Sequence, residues 1–99
     1  MGYTREQALS SVGKGWGQLI DKLYNAKPKN VEVTQVKEKF GHLRFYVGFA
    51  PEWYFDLIDY YEQQSAEICE ICGKEGRTRA DLDWILTLCD EHYNEMIKK

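Results

Sequence analysis

Three cysteines, two histidines and two prolines are all that this 99-residue chain holds of those types, and each scarcity closes off a class of protein. An odd number of cysteines, all gathered between positions 69 and 89, leaves no disulfide framework, so a reducing cytosol is the expected compartment. His42 has no serine, cysteine or carboxylate at a spacing that suggests a nucleophile triad. No apolar run approaches the ~18 residues of a membrane span, and the first residues lack the charged-then-apolar pattern of a leader. Glu6 stands where a myristoylation motif wants Ser or Thr, which disposes of Gly2 as an acylation site.

Positive charge is also short overall, with a net charge of −3, but it is unevenly spread. Residues 1–50 carry eight Lys/Arg against four Asp/Glu, whereas residues 51–99 carry five against twelve. The expected molecule is electrostatically polar, with a basic first half and an acidic second half.

What the chain does have is a ligand pattern. Cys69-x2-Cys72 is followed after sixteen residues by Cys89-x2-His92. Zinc takes four tetrahedral N or S ligands, and two intervening residues let one turn present both members of a pair to the same ion. Gly73 directly after the second cysteine suits a tight knuckle. Residues 77–79 and 84–88 read as short strands around a turn at 80–83, and from Cys89 the pattern is helical, with His92 and Met96 on one face and Lys98 and Lys99 at the negative end of the dipole. Knuckle, hairpin and helix in that order is the treble-clef arrangement. The plainer alternative makes the cysteines buried hydrophobes and His92 a surface residue. All three cysteines falling inside the motif argues for Zn2+.

A Cys3His set closes the tetrahedron, so the expected zinc is structural and the protein is not an enzyme. No His-x-Glu precedes a Pro-Cys-x2-Cys as in zinc deaminases, and residues 73–88 lack the additional histidine of an HNH-type nuclease. Gripping nucleic acid through this module is disfavoured, because Glu67, Glu70, Glu75, Asp81, Asp83, Asp90, Glu91 and Glu95 surround it. For a chain near the size at which one core becomes self-sufficient, structural zinc worth about 10–16 kcal/mol is a substantial supplement.

Before the motif, Thr4-Arg-Glu-Gln7 is a capping box that opens a helix over about 5–12. Gly13, Gly15 and Gly17 call for a turn; their spacing matches neither a P-loop nor a dinucleotide fingerprint. Trp16, Leu19, Ile20 and Leu23 recur at helical spacing, and Pro28 ends that helix by Lys27. Residues 31–49 form a hairpin in which Leu43, Phe45, Val47 and Phe49 alternate inward, while Val31, Val33 and Val36 break parity. Either a bulge falls near Thr34 and Gln35 or the sheet is covered on both faces. The turn at 39–42 gathers Lys37, Lys39, His42 and Arg44 at a tip, with Tyr46 alongside, as a site for phosphate or an acidic partner or else as a solubilising edge. A helix from Pro51 to about Ala66 buries Tyr54, Leu57, Ile58, Tyr61 and Ser65. Glu52, Asp56 and Asp59 share its other face with Trp53 and Tyr60 beside them, which is either a solvated face or a dock for a basic partner with aromatic anchors.

The run Val33-Thr-Gln-Val-Lys-Glu-Lys-Phe-Gly-His-Leu-Arg-Phe-Tyr46, then the Trp-bearing acidic helix, Cys-x2-Cys-Gly73, Trp84, Thr87-Leu-Cys89 and His92 resemble small zinc-binding proteins encoded by tailed phages and prophages. The resemblance spans about residues 15–92 and carries no catalytic residues with it. It implies an accessory product acting in bacterial host cytoplasm by binding and disabling a host protein. The expected architecture is one α+β domain over 1–99, with N-terminal helices, a β-hairpin and a long acidic helix in 1–66 and an integrated treble-clef-like zinc module in 67–99. The leading expectation is a non-enzymatic interaction protein that inhibits a bacterial defence protein, anti-CRISPR-like or other. Two rivals are a sponge for a nucleotide signal, using the hairpin tip, and nucleic-acid binding through Lys37, Lys39, Arg44, Arg77 and Arg79.

Overall fold

The computed structural model describes residues 2–98 of the chain, so Lys99 of the basic C-terminal pair lies outside the described residues. The fold is α+β. Its elements run α1 (Arg5–Ser10), a 3-10 turn (Lys14–Trp16), α2 (Gly17–Ala26), β1 (Val33–Lys39), β2 (His42–Val47), α3 (Glu52–Ser65), β3 (Arg77–Arg79), β4 (Leu86–Leu88) and α4 (Asp90–Ile97). The strands make two separate antiparallel hairpins, β1–β2 and β3–β4.

The capping box forms as its sequence requires. Thr4 Oγ1 accepts from the Gln7 amide at 3.1 Å while the Thr4 amide donates to Gln7 Oε1 at 2.9 Å. α1 stops at Ser10, earlier than its pattern suggested, because the glycines redirect the chain into the 3-10 turn. α2 then buries Leu19, Ile20 and Leu23 beside Trp16. Lys27, ahead of Pro28, is extended, as the steric demand of a following proline dictates.

In the first hairpin the parity conflict is resolved by a bulge. Val33 pairs with Val47 and Gln35 with Tyr46, so Thr34 is the extra residue, and Val33 and Val36 can both face the core. Phe40 (φ 54°) and Gly41 (φ 81°) form the two-residue connection with both φ values positive, the geometry whose twist matches paired strands. Leu43 and Phe45 are buried, but Phe49 is not. The strand ends at Val47, the Gly48 amide turns to Glu32 O, and Phe49 stands 99% exposed, against the inward position its alternation implied.

α3 lies along the free edge of β2. Leu43 N donates to Ser65 Oγ at 2.9 Å and Phe45 N to Glu62 Oε2 at 2.8 Å, so helix side chains satisfy the strand's outward amides. Tyr54 and Ile58 complete the core, with Leu57 and Tyr61 half-buried. The second hairpin is shorter than its sequence suggested. Pairing ends at Arg79 with Leu86, so Ile85 has no cross-strand partner and Trp84 is 78% exposed.

Candidate metal centre

The first two candidate ligands sit on a knuckle built by short-range hydrogen bonds. Ile68 and Glu75 form an isolated antiparallel bridge, Cys69 N donates to Lys74 O at 2.8 Å, and Gly73 N donates to Cys69 O at 2.9 Å. Gly73 adopts φ +83°, which a side chain would oppose, so the glycine after Cys72 is required by the turn itself. The second pair sits on a helix start. Cys89 is the N-cap of α4, with extended backbone, and its sulfur accepts from His92 N, so the same residue caps the helix and orients its first turn.

These elements bring Cys69, Cys72, Cys89 and His92 together, with their ligand atoms all within 4.8 Å of one another. Cys72 Sγ and Cys89 Sγ are 3.8 Å apart, and His92 Nδ1 lies 3.6 Å from Cys69 Sγ and 3.2 Å from Cys89 Sγ. Tetrahedral bonds of ~2.3 Å to sulfur and ~2.0 Å to nitrogen require about 3.8 Å between sulfurs and about 3.6 Å from sulfur to nitrogen. The cluster is therefore compatible with a zinc site, with Nδ1 as the imidazole's donor atom. Burial by itself would push the Cys69 thiol up, but the amides of Cys89, Cys72 and Ile71 and the Cys72 side chain outweigh it and hold the pKa at about 6. The Cys89 sulfur beside the ring raises the His92 pKa above its usual value, against a smaller opposing effect of burial.

The glycine-rich stretch that opens the 3-10 turn proves to be the seat of this knuckle. Gly15 N donates to Glu70 O at 2.8 Å and Trp16 Nε1 donates to Ile68 O at 2.9 Å. A Cβ on Gly15 would lie 1.9 Å from Cys69 O and 2.6 Å from Gly73 N, and one on Gly13 would lie 2.2 Å from Glu70 O. The spacing of these glycines is thus set by backbone-to-backbone approach. Glu70 joins the other side: its amide donates to Thr87 O at 3.0 Å and its carboxylate accepts from Thr87 N at 2.8 Å. Thr87 Oγ1 in turn donates to Gly41 O at 2.6 Å, tying the module to the first hairpin. Arg79 locks the back, donating to Leu88 O and to Asp90 Oδ1 at 2.8 Å with its guanidinium 4.2 Å from the Tyr93 ring centroid.

The other sequence candidates fall on two surfaces. Glu52, Trp53, Asp56, Asp59 and Tyr60 are all exposed on the side of α3 turned away from the core, and the carboxylates run between aromatics. Phe55 (43% exposed) borders the same stripe on its other side, and Phe49 stands just before the helix. Neither aromatic was singled out for this surface from sequence. Phe49 carried a strand's alternation one step too far, and Phe55 falls on the helix arc opposite Tyr60 and Trp53 in the angular order. The second surface is the outward face of β1–β2. Register places Lys37 opposite Arg44, Lys39 opposite His42 and Gln35 opposite Tyr46, so Lys37, Lys39, His42, Arg44 and Tyr46 share it. The turn is not a free tip, however: Gly41 is buried on Thr87, and His42 Nε2 is 3.5 Å from Thr78 Oγ1. Arg44 meets Glu62 at 3.8 Å, beside Asp59 and Gln63.

No protein-family model, no curated protein and no solved structure matches this chain. Among the described residues no helix is long and apolar enough to cross a membrane.

Proposed function

We propose that this chain is a non-enzymatic interaction protein with a structural zinc, a phage-type accessory product that works in bacterial host cytoplasm by docking on a host defence protein and disabling it. Zn2+ on Cys69, Cys72, Cys89 and His92 completes a closed tetrahedron, which leaves no position for activated water. In this reading the module of knuckle, β3–β4 hairpin and α4 is treble-clef-like and serves to brace the rest.

The observation that carries the proposal is the outer face of α3. Soluble proteins rarely expose large aromatics side by side, and interface anchors are typically aromatic. Here the carboxylates of Glu52, Asp56 and Asp59 run between Trp53 (53% exposed) and Tyr60 (55%) on one side and Phe55 on the other, with the exposed Phe49 beside Phe55. None of these side chains contributes to the buried core beneath the helix. Such a face fits a partner with a basic groove, the surface that defence effectors use to handle nucleic acid: the carboxylates steer the encounter and the rings hold the complex.

The test is capture from host lysate by parent, Asp56→Lys/Asp59→Lys and Lys39→Glu proteins, followed by kinetics on whatever the parent retains. The parent and Lys39→Glu should hold the same host protein, while the double reversal should slow association severalfold and reduce its salt sensitivity. Equal capture by the double reversal, with loss in Lys39→Glu, would overturn the assignment. Metal analysis should find one zinc per chain, and the holo-protein should turn over neither nucleotides nor nucleic acid.

A further inference from the structure

The turn of the first hairpin contains a residue that folding alone does not account for. Phe40 sits at φ +54°, in the left-handed region that costs a bulky L-residue about 1–2 kcal/mol, and its ring is 63% exposed. Asn or Gly would make the same turn without strain. Strain kept at an exposed position calls for a use of the ring outside the fold.

Its surroundings suggest what that use is. Lys39 Nζ lies 5.8 Å from the Phe40 ring centroid and Lys37 Nζ lies 5.8 Å from the centroid of Tyr46, itself 41% exposed. Between the two rings, register sets Lys37 directly across from Arg44 and Lys39 across from His42. Like charges directly opposed across a strand pair are destabilising, and Glu62 at 3.8 Å from Arg44 offsets only one of them. The face is an open lattice of cations with an exposed ring at each end.

We propose that the outward face of β1–β2 binds single-stranded nucleic acid, with phosphates on Lys37, Lys39 and Arg44 and unpaired bases stacked on Phe40 and Tyr46. Charge complementarity selects an anion, and the rings select among anions: a base stacks on an exposed aromatic face, whereas an acidic peptide gains nothing comparable. A duplex hides its base faces and leaves the rings idle. A mononucleotide is a poor fit, since small ligands bind where most of their surface is buried, and these two rings lie at opposite ends of an unenclosed sheet face. The proposal does not rest on the docking of a host protein at the α3 face, although Asp59 of that face lines the same cavity as His42 and Arg44.

The experiment is fluorescence anisotropy of the zinc-loaded protein with fluorescein-labelled oligothymidylate about 4–16 nucleotides long, the length range one small module covers. Three cationic contacts give an expected log–log salt slope of about −2. Phe40→Asn and Tyr46→Ala should each weaken binding at least about fivefold, the lower end of what removing one stacked base costs. Phe40→Asn should also raise the melting temperature, because it relieves the turn, so a loss of affinity in that variant cannot be a loss of fold. The proposal is overturned by absence of binding at low salt, by a matched duplex binding as tightly as the single strand, or by both ring variants binding like the parent. Displacement of the oligonucleotide by an equal concentration of mononucleotide would overturn it in favour of a small-molecule site.

Discussion

Among the described residues, twelve apolar side chains are buried in the core beneath the first hairpin, from Ala8 through Trp16 and Leu43 to Ile58, whereas the C-terminal module buries Cys69, Leu88 and Cys89. Two of those last three are candidate ligands. The first region thus has an interior made of apolar side chains, and the second has one made largely of the candidate ligands themselves, with Leu82, Leu86 and Tyr93 partly buried against them. At roughly 1.5–3 kcal/mol per buried large apolar side chain, the first region has a driving force of its own and the second has almost none. The difference also sorts the surfaces: both candidate binding faces belong to the region that has a side-chain core of its own.

The largest effect should come from withdrawing the metal. Chelation, or Cys69→Ser or Cys89→Ser, is expected to release one zinc per chain and unprotect the amides of Glu70, Gly73, Thr87 and Tyr93, while the amides of Lys37 and Arg44, a directly hydrogen-bonded pair of the β1–β2 ladder, retain protection measurable by hydrogen exchange. Simultaneous loss of protection in both regions would show that they unfold as one unit and dissolve the contrast. Next comes Trp16→Ala, which attacks a buried side chain that joins the two regions. Its ring is fully buried, and its indole donates to Ile68 O, so denaturant unfolding should show a loss of about 3–5 kcal/mol and zinc release should quicken.

Gly15→Ala sharpens the comparison from the seam. The new methyl meets backbone of Cys69 and Gly73 at less than 3 Å, where neither atom is free to swing aside. The expected cost is at or above the usual ~1–3 kcal/mol of overpacking, with the loss falling on zinc affinity more than on the exchange protection of β1–β2. Gly48→Ala, with open space around the added carbon, is the control that should change little.

The smallest effect belongs to Glu62. Burial raises its pKa above the ordinary 4.5, against the opposing pull of the Phe45 amide and Arg44, with Asp59 adding to the rise. A carboxyl that holds its proton more tightly when folded stabilises most at low pH, and that contribution falls as pH climbs from the unfolded pKa through the raised folded one. Glu62→Gln keeps an acceptor for Phe45 N and removes the titration. The melting temperature of the variant relative to the parent should therefore rise between about pH 4 and pH 7. A flat difference would mean that the Arg44 pair cancels the cost of burial.

Much of this was legible in the sequence, for local reasons. The capping box, the Trp16–Leu23 stripe, the parity break at Thr34 that left a bulge as one of two alternatives, and the four-ligand cluster each depend on residues close in sequence or on one strict periodicity. What escaped depends on where elements meet. The glycines at 13 and 15 spelled a turn but not its purpose, because Cys69 and Glu70 arrive from more than fifty positions away. The hairpin turn looked free because nothing near it in sequence announces Thr87. Phe49 and Trp84 carried strand propensity beyond the point where a partner strand was present, and propensity yields when pairing ends.

The indole of Trp16 and the amide of Gly15 point at carbonyls of Ile68 and Glu70. A ribosome makes residues 1–66 before it makes any of the four ligands, so the seat can be assembled while the knuckle is still in the exit tunnel. If the cluster takes up zinc, metal loading becomes the late step of a vectorial process, in which the emerging cysteines meet a surface already shaped to receive their backbone. On that reading a cell short of zinc would accumulate chains arrested at that stage, with the first hairpin and α3 formed and an unlatched tail open to proteases.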